Sequence, residues 1–306
     1  MLARRNVSPT DPQETRPMQL DIFEHSRDVM LRNDVIEALA RHDGPAARAA
    51  CDRLAAECPA DESLIDLRGL LEVIDCPGPR TFEDHAALNH ARQVVEQAQP
   101  RAERVFGRET TARWLSPILA ELAVGAEALP FRADSADDHA APLYLRAGNW
   151  HAAVEAVTAI PSWRRIPAPL AWMAQARLQM VGLQSTWPLI AELGWLSPPR
   201  LDDLLRRSQD PMLSALARKF GERFEGEGTV NDAAWFPAWA LTERPEIANH
   251  ASAAQPSQHT APERAFRTLV ELLGLERQGR QRDIVERRKT LRDLQPSLYE
   301  AYMRTR

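Results

Sequence analysis

Cysteine is scarce in this chain, with three in 306 residues. An odd number in so long a sequence cannot frame a disulfide-dense secreted domain, so a reducing, cytoplasmic setting is expected. Long apolar runs are missing as well. No stretch approaches the roughly 18 consecutive apolar residues of a membrane span, and no membrane association is expected. The opening Met1-Leu2-Ala3-Arg4-Arg5-Asn6-Val7-Ser8-Pro9 carries basic residues with no apolar segment behind them, unlike a secretory signal. Lysine is limited to Lys219 and Lys289, neither with an acidic residue two positions before it, which excludes the common metal-dependent nuclease signature. There is no Walker loop, no nucleophile elbow and no paired-histidine zinc helix. Positive charge is not in surplus either: the formal net charge is -5, which disfavours phosphate binding over the surface at large.

What is present is an ordinary globular composition, 44 % hydrophobic and 26 % charged, arranged with helical periodicity. Residues 1–25 read as a disordered leader with three prolines before Met18 and no apolar period. From Ser26, Val29, Leu31, Val35, Ile36 and Leu39 recur at three- and four-residue intervals, and Gly44 closes the segment. Pro45 opens a second helix, with Ala47, Cys51 and Leu54 on one face, and Leu64, Leu67, Leu70 and Leu71 mark a third. Helices are expected at 82–98, 101–106, 110–128, 138–147, 150–160, 168–181, 185–194, 199–208, 211–225 and 232–242. Alternating runs of β-branched residues are lacking, so the chain is expected to be all-α. The domain reading is a helical-repeat region at 26–248, a linker at 249–262 rich in Ser, Ala, Gln and His, and a carboxyl-terminal helical hairpin at 263–306.

In Leu143-Tyr144-Leu145-Arg146-Ala147-Gly148-Asn149-Trp150-His151-Ala152-Ala153-Val154, a tyrosine precedes a glycine turn, an aromatic follows it, and a small residue opens the next apolar stripe. This segment resembles the turn between the helices of a tetratricopeptide repeat, with Tyr144, Gly148, Trp150 and Ala153 in the corresponding places. Gly182 lies 34 residues after Gly148, the period of that family. Pro161 and Trp187 depart from its pattern, and residues 80–130 fit no such frame. The resemblance implies an α-α solenoid of stacked antiparallel hairpins, each with an apolar face it cannot bury alone.

Candidates for chemistry are sparse. His85 and His90 are five apart and diverge around a helix, so no metal site and no cofactor are expected. Cys51 and Cys58 read as small packing groups. Asp134, Asp137 and Asp138 read as a solvated turn that helps a helix start, and Gly226-Glu227-Gly228 carries no phosphate-loop weight. Trp163, Trp172, Trp187, Trp195, Trp235 and Trp239 are expected to pack hairpin on hairpin, a concave peptide groove being the alternative. Between Glu276 and Asp293 stand Arg277, Arg280, Arg282, Arg287, Arg288, Lys289 and Arg292 against four acidic residues. The run reads as a solvated helix face, with nucleic-acid contact through Arg280 to Arg292 as the second reading.

Ahead of the first expected helix stands Gln19-Leu20-Asp21-Ile22-Phe23. It is similar to the pentapeptide by which bacterial polymerases and mismatch-repair proteins attach to the DNA polymerase sliding clamp. The resemblance implies that the Gln19 amide bonds at a pocket rim while Leu20, Ile22 and Phe23 bury apolar surface, with Asp21 between them. An extended peptide next to an unstructured leader could reach such a groove. The rival reading docks the same residues on their own domain, as a staple ahead of Ser26. Together these readings describe a non-enzymatic protein-binding scaffold. An enzyme whose site is assembled from distant residues stays open as an alternative.

Overall fold

The computed structural model describes the backbone of residues 17–75, 81–257 and 259–306, with side chains from Arg27 onward in those ranges. Residues 1–16 of the expected leader, Cys76, and the proline pair Pro77 and Pro79 lie outside the described residues. Every regular element among the described residues is helical, so the chain is all-α as expected. It divides into two compact units, one of Met1–Gly78 with Ala91–Ile118 and one of Pro79–His90 with Leu119–Arg306.

The first unit holds α1 (Pro17–Ala40), α2 (Gly44–Glu57), α3 (Leu64–Asp75) and the parts of α4 (His85–Phe106) and α5 (Arg108–Ala126) that fall within it. Helix α1 starts at Pro17 rather than at Ser26. Proline suits a first turn, and no glycine or proline follows until Gly44, so nothing in the sequence stops the helix. Asp43 caps α2, its carboxylate accepting from the Ala46 amide at 3.0 Å. Helices α1, α2 and α3 pack on one another and bury Val35, Leu39, Ala47, Cys51, Leu54, Leu67 and Leu70. Trp114 on α5 closes this core: its indole N–H donates to the Leu39 carbonyl at 2.8 Å, and His42 stacks on its ring. Helix α4 runs unbroken through Pro100, where two helices were expected. Proline removes one ladder bond, but its fixed φ is helical, so surrounding packing can carry the helix past it.

The second unit contains α6 (Ala140–Ala147), α7 (Trp150–Thr158), α8 (Pro167–Leu196), α9 (Pro198–Arg207) and α10 (Pro211–Arg223). It continues with α11 (Phe236–Glu243), α12 (Ala248–Ala251), α13 (Ala261–Gln278), α14 (Gln281–Leu294) and α15 (Pro296–Arg304). Neighbours in sequence pack in order from α6 to α9 and from α13 to α15, yet α11 touches α8, α10, α13 and α15. Every residue from Phe236 to Thr242 is buried, which a helix touched by sequence neighbours alone could not achieve. Tryptophans supply much of this core. Trp187 meets Phe236, Phe220 meets Trp239, and Trp195 meets Phe266.

The expected linker 249–262 packs onto the second unit. Ala248, Ala251 and Ala254 are buried, and two buried carboxylates hold the loop amides. Glu192 accepts from Gln255 N at 2.7 Å, while Glu263 accepts from Ser257 N at 3.1 Å and His259 N at 2.9 Å. Linker-like composition says nothing of such non-local acceptors, which is why the segment reads as free.

Candidate functional site

Gln19, Leu20, Asp21, Ile22 and Phe23 lie on the helical backbone of α1, not on the extended segment expected. From Arg27 to Asp34 no residue is buried; Val29 and Met30 are 48 % and 66 % exposed, and Val35 is the next residue that is buried. Val29 therefore leaves the core face assigned to it. Six residues separate it from Val35, and at about 100° per residue it stands roughly 120° around the helix from that face.

The tetratricopeptide-like turn is a helix pair. Helix α6 ends on Gly148, which takes the left-handed conformation at φ 77° and returns its N–H to the Leu145 and Tyr144 carbonyls. Asn149 then caps α7, accepting from Ala152 N. Tyr144 and Ala153 are buried, and Trp150 is half-buried. The Tyr144 hydroxyl donates to Glu127, and burial followed by that bond pushes the phenol well above its ordinary range. Gly182 interrupts α8 at φ 77°, ψ 177°, a backbone conformation essentially confined to glycine.

Beside this pair lies a cavity of about 690 Å³, within the size range of ligand sites. Helix α7 supplies Ala152, Glu155 and Ala156, and the segment before α6 supplies Glu127, Leu129 and Phe131. His139, only 6 % exposed, stands at the amino end of α6. Its backbone is extended, as a capping residue's is, and its Nδ1 accepts from Ala141 N at 3.1 Å. The ring lies parallel to Trp172 at 5.7 Å and meets Phe131 edge-on at 6.0 Å. Burial, aided by nearby His85, lowers its pKa to about 4. The ring is thus neutral at pH 7, and because Nδ1 is an acceptor the proton sits on Nε2. No lining residue is a serine, threonine, cysteine or lysine, so the chemistry offered is hydrogen bonding, charge and apolar contact.

This site departs from the sequence reading. Asp138, expected in a solvated turn, is buried and accepts from the Asn89 amide at 3.0 Å, and His139 rather than Asp137 or Asp138 caps α6. Histidine is not a favoured cap, so the local letters Asp-Asp-His-Ala-Ala carry no signal for it. The signal lies in distant Trp172 and Phe131.

The other candidates are held in structural contacts. In the basic run, Arg280 pairs with Asp283, Arg287 with Glu271 and Arg288 with Glu276, while Arg277 donates to Asn249. Cys51 is buried, and burial raises its pKa. Cys58 donates to the Asp28 carboxylate at 2.7 Å; that bond, then burial and the surrounding carboxylates, pushes the thiol up to about 11. Among the described residues no three His, Cys, Asp or Glu side chains are grouped to hold a metal ion, and no helix is long and apolar enough to cross a membrane. No protein family, curated protein or solved structure matches this chain.

Proposed function

We propose that this chain is a non-enzymatic, cytoplasmic helical scaffold for protein-protein interaction, attached to a DNA polymerase sliding clamp through Gln19, Leu20, Asp21, Ile22 and Phe23. The observation that supports the reading is the place of this pentapeptide near the start of α1, ahead of Arg27–Asp34, where no residue is buried. Docking as an extended peptide requires residues 19–23 to leave the helix, and terminal turns open at small cost because each lost turn gives up few bonds. Leu20, Ile22 and Phe23 would then contribute roughly 1.5 to 3 kcal/mol each on full burial, enough for micromolar affinity after ordering costs.

The repeat part of the reading is supported by the α6–α7 pair, by the packing of both helices on α8, and by positive φ at both Gly148 and Gly182. Charge pairing within 276–293 favours a protein partner over nucleic acid. The high pKa of Cys58, held to Asp28, argues against a thiolate nucleophile there.

The test mixes full-length protein with bacterial sliding clamp and measures binding by surface plasmon resonance beside the Leu20→Ala, Phe23→Ala double variant. Micromolar binding by the parent, weakened tenfold or more in the variant, is expected. Absence of parental binding, or equal binding by both, defeats the clamp reading.

A further inference from the structure

The buried indoles of this fold are not all satisfied. Trp114 gives its N–H to the Leu39 carbonyl, whereas Nε1 of Trp195 is buried with no hydrogen-bond partner among the described residues. Trp195 is 7 % exposed, packs on Phe266 at 5.4 Å and has the Arg267 guanidinium over its ring at 5.8 Å, so the ring is held while its donor is unmade. A buried donor in that state costs free energy that an incoming acceptor recovers. Trp187 Nε1 is unmatched too, inside the core at 0 % exposure. Trp195 differs in lining a cavity of about 240 Å³, formed with Arg164, Arg165, the end of α8 and residues 255–257.

The charge around this cavity has the sign that suits an acceptor. Two arginines line it against one glutamate, a net charge of +1. Glu192 has nothing to spare: both its oxygens accept from Arg164, and Oε1 also accepts from the Gln255 amide. Arg164 is spent on Glu192 and on the Ala253 carbonyl. Arg165 is exposed and forms no ion pair among the described residues, so one guanidinium fork is on offer. Leu196 and Pro256 add apolar wall.

We infer that this cavity binds a small organic carboxylate carrying a flat apolar body. The carboxylate lies against Arg165, one of its oxygens accepts from Trp195 Nε1–H, and the body rests on Leu196 and Pro256. One negative charge on two oxygens matches the net charge of the lining and its two free donor groups. A phosphate brings more charge and further oxygens, which would face apolar wall or the saturated Glu192. A cation finds no acceptor, because Arg164 and the Gln255 amide already satisfy Glu192. The volume lies below the roughly 300 to 1,000 Å³ of drug-sized sites, which suits a one-ring ligand. This inference is independent of the clamp reading, which concerns residues 19–23.

The test titrates full-length protein, labelled with nitrogen-15 in its indoles, with benzoate and with phenylacetate, and follows the indole N–H signals by NMR. The Trp195 signal, assigned by its nuclear Overhauser contacts to Phe266, should move downfield and saturate, with half-saturation by the better of the two at about 1 mM. The Trp187 signal should stay in place, which separates binding at the cavity from a general effect on buried indoles. Arg165→Gln, at an exposed position and checked for fold by circular dichroism, should weaken benzoate about tenfold, the loss of one charge-assisted pair. Benzamide, neutral and of the same shape, should bind the parent about tenfold more weakly than benzoate, and inorganic phosphate at equal concentration should not displace benzoate. A Trp195 signal unmoved by either carboxylate, an equal shift at Trp187, parental affinity in Arg165→Gln, benzamide binding as tightly as benzoate, or displacement by phosphate would each overturn the proposal. Clamp binding by Arg165→Gln should equal the parent's, so the two readings fail separately.

Discussion

The His139 imidazole lies flat against the Trp172 indole, with ring centroids 5.7 Å apart and planes within 8° of parallel. Stacking on one face, an edge contact from Phe131 and the bond from Ala141 leave little water near the ring, so protonation is opposed by desolvation. The pKa falls to about 4, against about 6.5 for an unfolded histidine. Between these values the unfolded chain binds a proton that the folded chain refuses. Stability from this group is therefore intact above about pH 6.5 and declines as pH falls toward 4. His139→Asn keeps a capping acceptor and does not titrate. Urea midpoints at pH 7 and pH 4.5 should show a smaller acid-induced loss in this variant than in the parent, by about 2 to 3 kcal/mol. Equal losses would show that the ring is not held neutral.

The same residue marks where sequence reading stops. Periodicity and punctuation locate α2, α9, α10 and α15, because Asp43 with Pro45, and Pro198, Pro211 and Pro296, act on their own first turns. The glycines at 148 and 182 are equally local, being needed where they stand. The ring stack on His139 depends on contacts made only after α8 has folded back, and Glu192 receives the Gln255 amide 63 residues away. The path of α4 through Pro100 and the burial of Ala248, Ala251 and Ala254 have the same character. In each, tertiary contacts override what the neighbouring letters prefer.

Gly148 and Gly182 share φ 77° but differ in ψ, 12° against 177°. An added Cβ finds open space or ordinary contact at both, so backbone conformation alone sets the cost. Asparagine tolerates the left-handed conformation of Gly148, whereas the extended positive-φ region at Gly182 excludes it. Gly148→Asn should cost less than about 1 kcal/mol and Gly182→Asn about 1 to 3 kcal/mol, measured by denaturant unfolding. Equal costs would mean that α8 does not keep its break.

Cys58 should react sluggishly. Its thiol is pushed up to about 11 by the bond to Asp28, so little thiolate is present at pH 8. Alkylation by iodoacetamide, followed by mass spectrometry of the Cys58 peptide, should run more than tenfold slower than for a free cysteine peptide. Asp28→Ala removes the largest cause and should speed it. A parent rate equal to that of the free peptide would rule out the Asp28 bond.

Arg164 and Glu192 form a two-point pair on the second unit, with Nε to Oε2 at 2.6 Å and Nη2 to Oε1 at 2.5 Å. The glutamate is buried and also accepts from Gln255 N. An ion pair of this kind is costly to break from one side, because the remaining charge has lost its partner without regaining water. Glu192→Ala should therefore destabilise by about 3 kcal/mol and release the 254–257 turn, visible as faster amide exchange at Gln255. Arg164→Met strands the carboxylate and should also be costly, less so because the Gln255 amide still solvates one oxygen. Replacing both by methionine removes the stranded charges and restores apolar contact, so the double variant should lie closer to the parent than Glu192→Ala does. Strictly additive losses in that cycle would show that the two side chains act separately, and the turn would then owe its position to Ala251, Ala254 and Glu263.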